Sequence, residues 1–168
     1  MNTSGVHETI KSAKNKFYIG DPCYALKENY YSAWIKWGKK REKEEGQYCN
    51  DGKLVVNKID IMISDSTAYG DGYYDGFAVD AGALSVIPWE FVDAKKLKRN
   101  GEDLGTIIEV KKNTPVKFSS HKRDGSFHFM YTDKTNKPCV IDIDTAIVNS
   151  DDIEDDYIEE DMDNEYDD

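Results

Sequence analysis

The chain has little cysteine, histidine or proline and no long apolar run. Three cysteines (Cys23, Cys49, Cys139) and three histidines (His7, His121, His128) occur in 168 residues. The cysteine count is odd and no CxxC pair exists, which argues against a disulfide framework and a structural zinc site. No histidine stands at metal-ligand spacing from another histidine or cysteine. No stretch approaches the ~18 apolar residues that a membrane span needs. The opening MNTSGVHETIKSAKNK lacks the apolar core of a secretory leader. The chain is therefore expected to work in a cytosol, with its cysteines as thiols.

The last eighteen residues, Asp151 to Asp168, have no Lys or Arg at all, and twelve of them are Asp or Glu. The rest of the chain is balanced, with 21 acidic and 22 basic residues in positions 1–150. All of the formal charge imbalance of −11 thus sits in the tail. A run of this kind repels itself, buries little and is expected to be disordered. A solubility tail needs only charge. This one also carries Ile153, Tyr157, Ile158, Met162 and Tyr166 at intervals. Acidic residues with spaced apolar anchors suit docking on a basic, partly apolar groove. The partner-binding candidates are Asp155, Asp156, Tyr157, Ile158, Glu159, Glu160, Asp161 and Met162.

Before the tail, short alternating segments predominate. Lys16–Gly20 (KFYIG) reads as a strand ended by Asp21-Pro22, since proline supplies no N–H. Residues 29–45 read as the one main helix, with Asn29 as N-cap and Gly46 as its stop. Tyr30, Tyr31, Trp34 and Ile35 form its apolar face, and lysines load the later turns. Ile59, Ile61 and Ile63 alternate with polar or flexible neighbours, as do Ile108 and Val110, Phe127 to Tyr131, and Cys139 to Ile143. Asp124-Gly125 marks a hairpin. Asp93–Asp103 reads as a charged loop. The expected fold is α+β, a mostly antiparallel β-sheet with one main amphipathic helix. The expected organisation is a flexible N-terminus at 1–15, a single domain at 16–148 and a disordered acidic tail at 149–168.

The densest local signal is Asp65–Gly82, DSTAYGDGYYDGFAVDAG, with four glycines and four aspartates. Glycine and aspartate at this density make sharp turns. The same residues are the ligand or metal candidates: Asp21, Tyr69, Asp71, Tyr73, Asp75 and Asp80. Converging carboxylates would suit calcium or magnesium, although the spacing is not that of an EF-hand. No catalytic residue is assigned and no cofactor is expected. Asp21 beside Cys23 raises a thiol pKa, which opposes a nucleophile.

IGDPCY (Ile19–Tyr24), YGDGYYDG (Tyr69–Gly76) and VDAG (Val79–Gly82) together resemble a loose group of small proteins of bacteriophages and bacteria. The resemblance covers about residues 16–93 and brings no established chemistry. It implies a phage accessory protein made in a bacterial cytosol. The function expected from these features is a non-enzymatic interaction protein that binds and modulates a host protein. The acidic tail would serve as its docking segment or as a nucleic-acid mimic, and direct nucleic-acid binding is not expected. The alternative is a small-ligand (nucleotide) or divalent-metal module centred on residues 69–80.

Overall fold

A computed structural model describes residues 5–46, 51–67, 70–100, 105–121 and 125–146. The expected tail disorder, the tail's partner-binding candidates, Tyr69 and Cys49 all lie outside these residues.

Eleven strands and two α-helices are present among the described residues. In chain order the strands are β1 (His7–Ile10), β2 (Lys16–Gly20), β3 (Gly52–Val56), β4 (Ile59–Ser66), β5 (Gly72–Tyr74), β6 (Phe77–Val79), β7 (Ala83–Pro88), β8 (Thr106–Glu109), β9 (Val116–His121), β10 (Ser126–Thr132) and β11 (Pro138–Asp144). Helix α1 spans Glu28–Glu45 and α2 spans Ala94–Asn100. One sheet has the order β1-β9-β10-β11, a second β3-β4-β7-β2-β8, and β5 pairs with β6 as a separate hairpin. Every strand pairing is antiparallel. The α+β class and the antiparallel pairing therefore agree with the sequence reading.

The five-stranded sheet is covered on both faces. Phe17, Ile19, Leu84 and Val86 face the four-stranded sheet, where they meet Phe118, Phe127 and Phe129. Tyr18 and Ile87, offset by one residue, face the other way and pack with Trp34, Leu26 and Leu97. The period of two along a strand splits consecutive residues between two cores. Helix α1 closes the second core with Trp34, flanked by half-buried Tyr30, Tyr31 and Ile35 as the apolar spacing implies. Gly46 stops it in the left-handed conformation, its N–H donating to the Glu42 carbonyl.

Five sequence expectations need correction. Residues 1–15 are not simply loose: β1 pairs with β9 from His7↔Ser119 to Ile10↔Val116. Helix α1 begins at Glu28, and Lys27 rather than Asn29 is its N-cap residue, without a side-chain cap. Lys27 is held instead by tertiary contacts, its N–H to the Phe91 carbonyl at 3.1 Å and its Nζ to the Glu90 carbonyl at 2.9 Å. Part of the charged loop at 93–103 is helix α2. Asp93 caps it through Oδ1, which accepts from the N–H groups of Lys95 and Lys96, and Leu97 anchors it in the core. The glycine-aspartate stretch is not turns alone. Tyr73 and Tyr74 lie on β5, which turns into β6 at Asp75-Gly76, both at positive φ (49° and 90°).

The fifth correction concerns the isoleucines of β4, which do not share a face. Leu54 pairs with Met62 and Val55 with Asp60, so Ile61 is an extra residue opposite β3. This bulge turns Ile61 and Met62 both towards the helix side, and Ile63 then faces the inter-sheet core.

Candidate functional site

The end of β2 organises the sequence motifs. Pro22 opens a single 3₁₀ turn, Pro22–Tyr24, and Asp21 caps it: Oδ1 accepts from the Cys23 N–H at 2.8 Å. The other carboxylate oxygen reaches across the fold. Oδ2 accepts from the N–H groups of Asp80 and Ala81 at 2.6 and 2.7 Å. IGDPCY and VDAG are therefore joined by one carboxylate. Asp21 is 0% exposed, and burial raises its pKa even though three backbone N–H groups pull the other way. Its two oxygens are engaged by backbone, so its part is that of a latch between β2 and the β6–β7 connection.

The expected ligand candidates are not all brought together. Asp71 and Asp80 are exposed, and the charge of both acts on the Tyr24 phenol. The Tyr24 phenol is pushed up to about 12, first by burial and then by Cys23, Asp21, Asp80 and Asp71. Asp75 belongs elsewhere. Its Oδ2 accepts from the Asp144 N–H at 2.7 Å, and it borders a shallow cleft with His128 and Asp142. Tyr73 is half-buried on β5. Among the described residues no three His, Cys, Asp or Glu side chains are placed to share a metal ion. Tyr74 was not among the candidates, yet it is fully buried and its hydroxyl donates to the Gly70 carbonyl at 3.0 Å. It pins the loop that carries Asp71. Its strand position, beside the exposed turn at Asp75, was the available signal.

Cys23 is half-buried, and its thiol pKa is raised by burial, by Asp21 and by Asp80, with Lys96 alone opposing. Lys96 is itself engaged: Nζ donates to the Leu26 carbonyl at 3.1 Å and sits 4.6 Å from the centre of the Tyr31 ring. The three histidines lie on or beside the four-stranded sheet, away from Cys23. His7 and His121 make an edge contact at 5.4 Å, and His128 bonds Asp142 at 2.6 Å. No histidine thus stands by the thiol among the described residues. Alkylation of Cys23 by iodoacetamide at pH 8 is expected to run at least roughly tenfold slower in the folded protein than in the denatured chain, since the thiolate reacts. Peptide mass spectrometry reads this directly, and equal rates would contradict the buried, anion-flanked environment.

The second feature is a basic cleft of about 560 Å³ lined by Lys14, Asn15, Lys16, Glu109, Val110, Lys111, Lys112 and Lys134. It is assembled from the β1–β2 turn, the end of β8 and the β10–β11 turn. Five lysines face one carboxylate there. Glu109 is taken by an ion pair with Lys134, which with Lys16 holds its carboxyl below the usual range. Lys14, Lys16, Lys111 and Lys112 have no carboxylate within ion-pair distance among the described residues. Lys16 also lies 4.2 Å from the centre of the half-buried Trp89 ring. Lys111 and Lys112 are adjacent in the sequence, whereas the other lysines come from segments remote in the chain. The lysines Lys36, Lys39, Lys40 and Lys43 of α1 and Lys95 and Lys98 of α2 are exposed, whereas Lys96 is engaged with Leu26 and Tyr31.

No helix among the described residues is long and apolar enough to cross a membrane. No family model, no curated protein and no solved structure matches this chain.

Proposed function

We propose that this is a non-catalytic interaction protein whose acidic tail docks on a basic surface of a host protein, in the bacterial setting that the motif resemblance implies. One observation carries the reading: twelve carboxylates and five spaced apolar residues are concentrated in positions 151–168, behind a body with 21 acidic and 22 basic residues. The geometry of the motif region favours binding over catalysis. Asp21 is a latch, and the Cys23 thiol is held in its protonated form. A surface that accepts such a tail is one that otherwise accepts phosphates, so the tail acts as a nucleic-acid mimic.

The test is capture from nuclease-treated bacterial lysate with the full chain. A full-length variant in which the tail carboxylates are changed to amides serves as the comparison. The full chain is expected to retain a nucleic-acid-binding protein that salt releases, and the amide variant to lose it. Capture of the same proteins by both would end this reading. It would also move function to the second candidate, a small-ligand or divalent-metal module centred on residues 69–80.

A further inference from the structure

We propose that the lysine cleft between the β1–β2 turn, the end of β8 and the β10–β11 turn is the resting dock of the protein's own acidic tail. The inference rests on the tail's reading as a docking arm and adds its regulation: the arm is masked in cis until a basic partner displaces it. Charge complementarity is the first argument. The segment 154–161, EDDYIEED, carries six carboxylates in eight residues. The cleft offers Lys14, Lys111 and Lys112, three ammonium groups with no carboxylate at ion-pair distance among the described residues, and Lys16, which stands opposite Glu109 on the paired strand. The nearby half-buried Trp89 adds apolar surface for Tyr157 and Ile158.

Reach is the second argument. Strand β11 runs from Pro138, beside the turn that carries Lys134, to Asp144. At ~3.3 Å per residue the described chain therefore ends about 25 Å from the cleft. An extended chain covers that distance in about eight residues. The first residues able to arrive are near Glu154, where the densest acidic run starts. Tethering holds the segment at an effective concentration on the order of millimolar, so modest intrinsic affinity suffices. Acidic surfaces suit the tail poorly: the cleft nearest its exit is lined by Asp75, Asp142 and Asp144.

The experiment compares amide spectra of the isotope-labelled full chain with those of a full-length variant carrying Glu154→Gln, Asp155→Asn, Asp156→Asn, Glu159→Gln, Glu160→Gln and Asp161→Asn. Shift differences within the body are expected to concentrate at Lys14–Lys16, Glu109–Lys112 and Lys134. They should vanish in 1 M salt, where screening acts over ~3 Å. A Lys111→Glu/Lys112→Glu chain should show the same undocked shifts. A dT oligonucleotide is expected to bind the amide variant at least about tenfold more tightly than the full chain, because the tail competes for the cleft. Shift differences that are absent or lie elsewhere would overturn the dock, and so would equal oligonucleotide affinity. Loss of the dock leaves lysate capture by the tail intact. A docked tail that captures nothing sinks the interaction reading alone.

Discussion

Asp21→Ala is expected to destabilise the fold by about 3–5 kcal/mol, because it removes a buried carboxylate and leaves three part-buried N–H groups without their acceptor. Those donors belong to Cys23, Asp80 and Ala81, so the loss unfastens the 3₁₀ turn and the β6–β7 connection together. The melting temperature should fall by roughly 8–15 °C. A change within about 2 °C would show that water replaces the carboxylate without penalty. The pH dependence adds a signature that a merely space-filling residue lacks. The folded pKa of Asp21 is raised above its ordinary value by burial, so the native state holds this proton more tightly than the unfolded chain does. Its contribution is fully present below the ordinary carboxylate pKa and is lost as pH rises through the folded value. Asp21→Asn keeps one acceptor and cannot titrate. The stability difference between wild type and Asp21→Asn should therefore shrink as pH rises from about 4. A difference that grows over that window would mean that the three N–H donors outweigh burial.

The same latch shows which parts of the molecule were legible in the sequence. Strands β2, β8, β10 and β11 announce themselves because apolar residues alternate along them, and each has one or two faces to bury. Helix α1 is visible through Tyr30, Tyr31, Trp34 and Ile35. Strand β1 is not, because His7, Glu8 and Thr9 are exposed and only Ile10 is buried. Its pairing with β9 depends on a segment more than a hundred residues away. Helix α2 hides because Leu97 is its one deeply buried apolar side chain, and the lysines around it look like a loop. The bulge at Ile61 is a property of the β3–β4 pairing and not of either strand alone. IGDPCY and VDAG stand out in the sequence as unusual strings. The bond between them crosses about sixty residues, so neither string reveals that Asp21 is a structural acceptor. The lysine cleft is harder still, since three distant turns build it.

Phe118→Ala is the second large effect, expected to cost about 3–5 kcal/mol. Phe118 is fully buried at the centre of the inter-sheet core and meets Phe127 and Phe129 edge to face at 5.9 and 5.2 Å. The informative part is how far the damage spreads. All three tryptophans, Trp34, Trp37 and Trp89, belong to the helix-side core, on the opposite face of the five-stranded sheet. Strand β2 serves both cores at once, with Phe17 and Ile19 on one face and Tyr18 on the other. A sheet shared in this way cannot lose one layer while the other keeps its strands in place. In urea, tryptophan fluorescence and far-ultraviolet dichroism should therefore report one midpoint, and Phe118→Ala should lower both equally. If the fluorescence midpoint held while the dichroism midpoint fell, the two layers would be independent folding units. The four-stranded sheet, from which the acidic tail departs after β11, could then open without disturbing the motif region. A single shared midpoint would instead tie the tail's anchor, the lysine cleft and the Asp21 latch to one cooperative body.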